Sequence, residues 1–401
     1  MATLPKGGLA AHGLGERFGV QARTGGCSLS IPFATSPGRG ASAAEVVLGY
    51  SSGARRSVYG WGWDIPLQSV VRRTTTHLPT YTDADTFGLS GGEDLVPLLV
   101  PAGGGWQPYR QPALIDGVPH QVERFLARTD DTRTRIERCT DPATGEVFWR
   151  SVDAANVTRT FGRSPEARIH DPADPTGRLR VYQWLLEEVR DDRGNVAVYE
   201  YKREDTAGVA GQPGEQHRLA PGAPPPANRY LKRIRYANAA AGDPDSTRMS
   251  VVFDYGEHEL TPDQTHPWPA RPDAYSDHHA GFEVRTWRLC RRLMMFHDFG
   301  ADLGDGPVPR LVRTLDLTHD SDPTSTRLVA VTQVGYRWNG AGYDTAALPP
   351  LELTYSTARP ATTVAGLALT DVPSGAHLQF VDLDGDGLPG VLSTAAGGWS
   401  Y

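Results

Sequence analysis

The residues best suited to chemistry lie near the C-terminus, in the stretch LQFVDLDGDGLPGVL at 378–392. Asp382, Asp384 and Asp386 occupy alternating positions there, and a glycine follows that permits a sharp turn. Three carboxylates in such a loop can turn inward on one cation, and the backbone carbonyl of Leu388 could add a fourth oxygen. Calcium accepts several hard oxygen ligands with flexible geometry. The stretch therefore predicts a calcium site, and the alternative is an acidic turn with a structural role alone.

The same loop resembles the DxDxDGxxD calcium loops of integrin-type β-propeller repeats. Gly390 stands where that pattern has its last Asp, so one carboxylate ligand is missing. The loop is too short for an EF-hand, which needs a Glu twelve residues in and a helix on each side.

A second acidic group lies around Phe87 and comprises Asp83, Asp85, Glu93 and Asp94. Paired carboxylates can act as general acid and base, which would suit a hydrolase. No companion His, Cys or metal-ligand spacing accompanies them. We interpret them as solvated carboxylates in turns.

Four histidines form the only histidine group that merits a test for metal binding: His258, His266, His278 and His279. The last two are adjacent in a loop, where successive side chains usually diverge. Neither HExxH nor CxxC spacing supports a site. The sequence therefore predicts no catalytic residue, and a hydrolase using the acidic or the histidine group stays as the enzyme alternative.

Composition and charge exclude several classes of protein. The formal net charge of −7 gives no electrostatic reason to expect a nucleic acid or an anionic membrane as partner. The apolar runs are far shorter than a bilayer span, so no membrane insertion is predicted. The N-terminus lacks the continuous apolar segment of a signal peptide. The cysteines, Cys27, Cys139 and Cys290, are odd in number and far apart, which favours synthesis in a reducing cytosol.

The secondary structure that would position these residues is clearest in the stretch RVYQWLLEEVRDDRGNVAVYEYK at 180–202. Two apolar, aromatic-rich runs flank a polar break that ends in Gly194 and Asn195, the residue types that enter left-handed backbone conformations most cheaply. In the second run Ala197, Tyr199 and Tyr201 share one face. This pattern predicts a long β-hairpin with aromatic residues along one side.

Most of the chain repeats this pattern. The 44 glycines and 32 prolines are more typical of strands and turns than of helices. Predicted strands fall at 29–33, 46–50, 65–71, 121–128, 134–139, 147–152, 157–161, 228–237, 249–255, 311–317, 328–338 and 351–355. The fold class predicted is all-β, a curved antiparallel sheet of hairpins.

Three segments interrupt the regular pattern. Residues 204–228 are rich in Pro, Gly and Ala and predict a surface or mobile loop inserted between paired strands. The run at 282–299 alternates imperfectly, and a helix over 287–295 is a conceivable alternative. The basic residues Arg229, Lys232, Arg233 and Arg235 could form an anion patch, but a solvated strand face is favoured.

The N-terminal stretches carry a family resemblance. LPKGG, GERF, TGGCSLSIPFATSPGR at 24–39 and GWGWDIPLQSVVRRT at 60–74 resemble the N-terminal region of the Salmonella virulence plasmid B protein. They are equally similar to the B component of bacterial insecticidal toxin complexes. The similarity continues through 78–99, 161–172 and the 180–202 hairpin, which also resembles one YD/Rhs repeat.

The resemblance implies a domain organisation. Residues 1–357 would form the family's N-terminal β domain, and residues 358–401 a linker and the first strands of a β-propeller, which the chain does not complete. The YD/Rhs-like hairpin would be one tile of a hollow shell.

The resemblance also implies a mechanical role. The chain would form part of the shell that encloses a toxic passenger, and its propeller would dock the pore-forming A component, with the C component as a further shell partner. Such proteins are made in the bacterial cytoplasm and released without a recognisable signal peptide. The alternative is the secretion or delivery region of an ADP-ribosyltransferase virulence effector whose enzyme domain lies beyond this chain.

Overall fold

The computed structural model describes residues 13–21, 25–40, 43–90, 92–129, 133–174, 176–212, 214–356, 377–383, 390–395 and 398–401. These residues form thirty-one β-strands and short 3-10 helices. The strands are β1 (Arg17–Gln21), β2 (Gly26–Phe33), β3 (Val46–Ser51), β4 (Arg56–Ser57), β5 (Gly60–Trp61), β6 (Trp63–Asp64), β7 (Ser69–Arg72), β8 (Phe87–Leu89), β9 (Asp94–Pro97), β10 (Leu99–Ala102), β11 (Gly105–Pro108), β12 (Arg110–Ile115), β13 (Val118–Ala127), β14 (Arg135–Thr140), β15 (Val147–Val152), β16 (Thr158–Phe161), β17 (Arg168–His170), β18 (Val181–Arg190), β19 (Val196–Arg203), β20 (Arg229–Asn238), β21 (Thr247–Asp254), β22 (Tyr275–Asp277), β23 (Val284–Thr286), β24 (Arg292–His297), β25 (Arg310–Ser321), β26 (Thr326–Trp338), β27 (Tyr343–Ala347), β28 (Leu351–Glu352), β29 (His377–Val381), β30 (Gly390–Ala395) and β31 (Gly398–Ser400). The 3-10 helices are Pro165–Ala167, Gln216–Arg218, Pro244–Ser246 and Gly300–Leu303.

The chain divides into two compact units, 1–353 and 354–401. In the second unit β29, β30 and β31 form a three-stranded antiparallel sheet. The all-β prediction is confirmed, and the pairings within the long sheet are antiparallel as expected. The assignment of the second unit to a propeller stays a prediction.

The larger unit contains a closed barrel that the sequence did not predict. Eight strands pair in the circular order β7, β8, β9, β13, β14, β15, β16 and β18, and β18 closes the circle by pairing with β7. Closure removes the exposed edges of these strands.

Aromatic side chains fill the barrel. The ring centroids of Phe87 and Trp149 are 5.0 Å apart, as are those of Phe125 and Trp149. Trp184 packs on the same cluster with its centroid 5.9 Å from that of Phe87. These tilted and edge-on contacts are the favoured aromatic geometries, so the barrel interior is a packed core and not a channel.

The strand β18 belongs to the barrel and also starts an open sheet. Residues 188–190 of β18 pair with β19, and the sheet continues through β20, β21, β24, β25 and β26. β26 then pairs with both β27 and β28. The predicted hairpin at 180–202 is therefore present as β18 and β19, but only the residues next to its turn are paired, 188–190 with 196–198, so it is shorter than the long hairpin predicted.

A second layer covers one face of this open sheet. It includes the sheet of β1, β2, β3 and β6 and the short pair β4–β5. The Tyr236 hydroxyl donates to the Ser36 carbonyl at 2.7 Å, and Arg271 donates to the Ser57 carbonyl at 2.7 Å. Ile31 and Leu48 of this layer are fully buried in the core shared with the sheet. The layer is thus fixed by apolar packing and by hydrogen bonds to its backbone.

The helix considered over 287–295 is absent, because β24 runs through 292–297 as a strand. Leu293 and Met295 face the main core, whereas Met294 and Phe296 join a smaller apolar cluster on the opposite face. A strand buried on both faces has no polar side, which explains why its alternation was imperfect.

Candidate functional site

The predicted calcium loop is described only in part. Asp382 is exposed just after β29, whereas Asp384, Asp386 and Leu388 lie outside the described residues. Within the described ranges, no group of three or more His, Cys, Asp or Glu side chains is placed to hold a metal ion. The calcium site therefore stays a prediction.

The acidic group around Phe87 does not act as a solvated unit. The side chain of Asp85 is only 1% exposed and forms an ion pair of 2.7 Å with Arg72. It also accepts hydrogen bonds from the backbone N–H groups of Thr80 and Tyr81, both at 2.8 Å. Burial raises the pKa of Asp85, but a hydrogen bond from the Thr80 hydroxyl, the two backbone hydrogen bonds and the charge of Arg72 outweigh it and lower the pKa. The prediction of a solvated carboxylate is wrong for this residue, because an arginine opposite it compensates its burial.

Arg72, paired with this carboxylate, packs against the aromatic side chains inside the barrel. Its guanidinium lies 5.0 Å from the ring centroid of Phe87 and 5.5 Å from that of Trp184. Its Nε donates to the Val181 carbonyl at 2.8 Å. The pair Arg72–Asp85 is therefore a cap on an apolar interior and not a general acid–base pair.

Two further acidic residues of that group have separate partners, and Glu93 is exposed. Asp83 pairs with Arg138 at 3.1 Å, and Asp94 pairs with Arg73 at 2.8 Å. Their carboxylates serve different ion pairs, so the geometry offers the hydrolase alternative no converging pair here.

Of the four histidines in the predicted group, only His258 is buried. It belongs to an ionic cluster in which Lys232 binds Glu257 and contacts His258 Nε2 at 3.2 Å. Burial lowers the pKa of Lys232, and burial together with the charge of Lys232 lowers the pKa of His258. Asp254 of the same cluster pairs with Arg292 at 2.7 Å. The cluster holds the turn after β21 in place.

The other histidines make isolated contacts at the surface. His266 lies 3.3 Å from Glu259, and His279 lies 2.5 Å from Asp277. Neither pair includes a further ligand that would complete a metal site within the described ranges.

The basic residues of β20 form neither an anion patch nor a uniformly solvated face. Arg229 is buried, and burial lowers its pKa to about 10. Lys232 is bound to Glu257, and Arg235 donates to Glu200 at 2.6 Å. The apolar–polar alternation in the sequence of β20 did not indicate that both of its faces are covered.

The segment 204–228 lies between the paired strands β19 and β20, and ion pairs anchor its described part. Glu204 forms a bidentate pair with Arg288, and both side chains are 0% exposed. Arg285 binds Glu215, and Arg218 binds Glu283 at 2.7 Å. The Arg218 hydrogen bond lowers the pKa of Glu283 to about 2. The composition suggested flexibility, but these ion pairs join the segment to 283–288.

A cavity of about 560 Å³ lies against this segment. The prolines Pro224, Pro225 and Pro226 form one wall, and Phe282 and Trp287 contribute aromatic surface. The sequence interpretation assigned the triple proline to a loop and Phe282 and Trp287 to a strand or helix, and it predicted no site at this cavity.

The turn of the 180–202 hairpin is held by its own side chains. The Asp191 carboxylate accepts hydrogen bonds from the backbone N–H groups of Arg193 at 3.0 Å and Asn195 at 2.8 Å. Gly194 has φ of 77°, a left-handed conformation that glycine adopts without strain. Burial raises the pKa of Tyr199 to about 12, so this tyrosine of the predicted aromatic face is packed and uncharged. The hairpin is a structural unit with no open site of its own.

The aromatic residues at 59–63 cover an edge of the core. Tyr59 and Trp63 are buried at 4% and 1% exposure, whereas Trp61 is 45% exposed.

Across the described part of the chain, no helix has the length and apolar character needed to span a bilayer.

The features above define an all-β scaffold of a known family. The family model of the Salmonella virulence plasmid 65kDa B protein matches residues 21–299. The chain belongs to this family. It is 32% identical over 359 residues to the mono(ADP-ribosyl)transferase SpvB of Salmonella typhimurium and of Salmonella dublin, covering 84% of this chain and 57% of each relative.

Solved structures give the same relationship. The Tc holotoxin pore of Photorhabdus luminescens matches 99% of this chain with a TM-score of 0.81 and 32% identity, over 19% of the matched chain. A crystal structure of TcdB2-TccC3 matches 100% of this chain with a TM-score of 0.78, 32% identity and 20% coverage. The N-terminal domain of SpvB from Salmonella typhimurium matches 77% of this chain and 98% of its own, with a TM-score of 0.68 and 31% identity.

Proposed function

We propose that the chain is a non-catalytic structural module of a bacterial toxin complex B component. It forms part of the shell that encloses a toxic passenger. The observation that carries this proposal is the match of 99% of the chain to the Tc holotoxin pore at a TM-score of 0.81. This match covers more of the chain than the 77% matched by the SpvB N-terminal domain, because it also includes the second unit.

The packing supports a mechanical role. Of the carboxylates that the sequence offered as acid–base candidates, Asp83, Asp85 and Asp94 are engaged in separate ion pairs with arginines. Carboxylates held in separate ion pairs help to fix a framework and do not converge as a general acid–base pair.

The partners follow from the same proposal. The C component would complete the shell, and the second unit would begin the propeller that docks the pore-forming A component. Calcium bound by Asp382, Asp384, Asp386 and the Leu388 carbonyl would stiffen the first turn of that propeller. The protein would be made in the bacterial cytoplasm and released outside the cell.

A chimera tests the shell role. Residues 1–401 replace the aligned segment of TcdB2 in the TcdB2-TccC3 protein, and the product is examined by electron microscopy and by protease resistance of the TccC3 C-terminal region. A closed particle that protects this region supports the proposal. A soluble, folded chimera that leaves the region open to protease contradicts it.

A matched control carries a defect in the barrel. At Gly162, where φ is 59°, a Cβ atom would lie 2.5 Å from Trp184 Cδ1. The Gly162→Val chimera should therefore lose both the closed particle and the protection.

The second candidate is the delivery region of an ADP-ribosyltransferase effector. It is favoured by the 32% identity to SpvB, of which the chain covers 57%. This candidate predicts that the chain delivers a fused enzyme without enclosing it. In the chimera experiment it would give a folded protein without protection of the TccC3 C-terminal region.

A further inference from the structure

Two arginines lie opposite each other on neighbouring strands without a carboxylate to pair with either. The register pairs Arg203 of β19 with Arg229 of β20, and side chains at directly paired positions point to the same face of a sheet. Like charges in such a pair are destabilising. Neither arginine forms an ion pair among the residues that the structure describes. The basic residues of β20 share no patch with one another, but Arg229 is joined by a second positive charge from β19.

Arg229 is a buried charge that the chain leaves uncompensated. It is 8% exposed, and it donates to the neutral backbone carbonyls of Ala227 at 3.0 Å and Asn228 at 3.2 Å. Burial lowers its pKa and the charge of Arg203 lowers it further, whereas the exposed Glu166 raises it without forming an ion pair in the described part of the chain. The fully buried arginines at 271 and 288, in contrast, are each paired with a carboxylate. An anion from outside the chain would therefore stabilise this site.

A cavity of about 380 Å³ gives such an anion access to the pair. Arg203 lines this cavity and is exposed, and its contact with the chain is a long one of 3.4 Å from Nε to the Pro226 carbonyl. His170 also lines it, and the His170 Nε2 lies 3.2 Å from Nη2 of Arg229. Arg229 does not line the cavity itself. It would act on a ligand through its charge, whereas Arg203 can contact the ligand directly.

The acidic residues of the cavity wall are already compensated. Glu204 is paired with Arg288, and Asp205 pairs with Lys202 at 3.0 Å. Asp174 accepts hydrogen bonds from three successive backbone N–H groups in the turn that follows it. The charge that remains without a partner at the cavity is therefore positive.

Thr206 adds a hydroxyl to the wall in a strained backbone conformation. Its φ is 59°, a left-handed value that is unfavourable for a β-branched residue. The Glu204 carboxylate holds it there by accepting the Thr206 backbone N–H at 2.8 Å. The Thr206 hydroxyl makes no hydrogen bond within the described ranges, and the residue lines the cavity. Strained residues that their surroundings hold in place are typical of ligand-binding positions.

We propose that this cavity binds a small oxyanion with two negative charges, of the phosphate or sulfate type. The planar guanidinium of Arg203 binds two of its oxygens, and the Thr206 hydroxyl donates to a third. Arg229 contributes its positive charge from behind His170. This site is independent of the shell function, because none of its residues takes part in that proposal.

Calorimetry on the complete chain at constant ionic strength tests the requirement for two charges. The probes are sulfate and methanesulfonate, which share the same tetrahedral sulfur–oxygen group but differ by one charge. We expect a Kd below about 1 mM for sulfate, and binding of methanesulfonate at least about tenfold weaker. A smaller ratio, or a Kd above about 1 mM for sulfate, would overturn the proposal.

A second pair of probes distinguishes a free anion from the phosphate end of an ester. Inorganic phosphate and phenyl phosphate are compared at about pH 8, where both carry close to two charges. Tighter binding of phenyl phosphate assigns the site to an ester whose organic group packs on the wall of Pro172, Pro225 and Pro226. Equal or weaker binding assigns it to the free anion. Both results support the site, and binding of neither probe contradicts it.

Two variants locate the site on the chain. Arg203→Gln should weaken sulfate at least about tenfold, and Thr206→Val, which keeps the branched shape and removes the hydroxyl, should weaken it about fivefold. Arg55→Gln removes the same charge from an exposed position elsewhere and should leave the affinity within about twofold. Without sulfate, Arg203→Gln should melt at a higher temperature than the parent protein, because it relieves the opposition to Arg229. Unchanged sulfate affinity in either cavity variant would remove the site from this cavity.

Discussion

The side-chain oxygen of Asn238 accepts a hydrogen bond of 2.8 Å from the backbone N–H of Val196. The same amide donates to the Gly194 carbonyl at 2.9 Å, so one side chain from the end of β20 holds both sides of the β18–β19 turn. Asn238 is 4% exposed. The hairpin turn is therefore held both by its own Asp191 carboxylate and by a residue more than forty positions away in the chain.

Replacing this asparagine should destabilise the fold. Asn238→Ala leaves the buried Val196 N–H without an acceptor, which costs about 2 kcal/mol of the free energy of unfolding. Urea unfolding followed by tryptophan fluorescence measures the loss. Asn339→Ala, which removes hydrogen bonds from an exposed turn, is the control and should cost clearly less. Equal losses in the two variants would show that the Asn238 contacts add nothing to stability.

The buried pair of Glu204 and Arg288 should control the anchored segment. Glu204→Gln leaves the Arg288 guanidinium charged in an enclosed site, at a cost of about 3 kcal/mol. The segment should then open, and trypsin should cut after Arg218 faster than in the parent protein. Glu200→Gln is the control, because Glu200 is 40% exposed and its pair with Arg235 contributes about 1 kcal/mol or less. A trypsin rate unchanged in Glu204→Gln would contradict the anchoring role.

Acidification should weaken the attachment of the N-terminal layer through His319. Its Nε2 contacts the Tyr59 carbonyl at 3.1 Å, and burial, reinforced by Arg271 and Arg291, lowers its pKa to about 4. The unfolded chain, with an ordinary pKa near ~6.5, takes up the proton first as the pH falls. Stability is therefore lost between about pH 6.5 and pH 4, by up to ~3 kcal/mol from this group.

The variant His319→Gln isolates that contribution, because carboxylates also titrate in this range. It should show a shallower loss of unfolding free energy between pH 6.5 and pH 4 than the parent, whereas His77→Gln at the exposed surface should keep the parent slope. If His319→Gln lost unfolding free energy with pH as steeply as the parent protein, His319 would not contribute to the acid sensitivity. Burial lowers the pKa of His170 and His297 as well, so the parent slope contains further terms of the same sign.

Calcium binding is tested on the complete chain by calorimetry. If the loop at 382–388 holds the ion, calcium should release or absorb heat at up to millimolar concentration, and Asp384→Ala should abolish that heat by removing a carboxylate ligand. Asp322→Ala, in an unrelated acidic turn, should leave it unchanged. No heat with the parent protein, or the same heat with Asp384→Ala, would leave the loop as an acidic turn.

Local patterns predicted the strands well and long-range closure poorly. The predicted strand at 147–152 coincides with β15, and the Gly194 turn lies where its residue types indicated, because alternation and turn chemistry are encoded by neighbours. The pairing of Val70 with Trp184 closes the barrel across a separation that leaves no periodic signal. Alternation identifies a strand but not its partner.

The interpretation of Asp85 was wrong for a related reason. The local sequence of Asp85 indicates a turn carboxylate, but the fold places Arg72 beside it. The composition of 204–228 indicates flexibility, but the fold pairs its glutamates with Arg285 and Arg288. Burial of a charge depends on a counter-charge supplied from elsewhere in the chain. The cavity at Trp287 likewise exists only once the segment is anchored.

The ten residues of β18 hydrogen-bond to four other strands: β7, β16, β17 and β19. Adding or removing one residue inside β18 would invert its inward and outward side chains and shift the register against several partners at once. Length variation among homologues should therefore avoid this strand and collect in turns, even where its individual side chains change. Under mechanical load the barrel and the open sheet should also rupture together, because pulling on one shears the strand that the other needs.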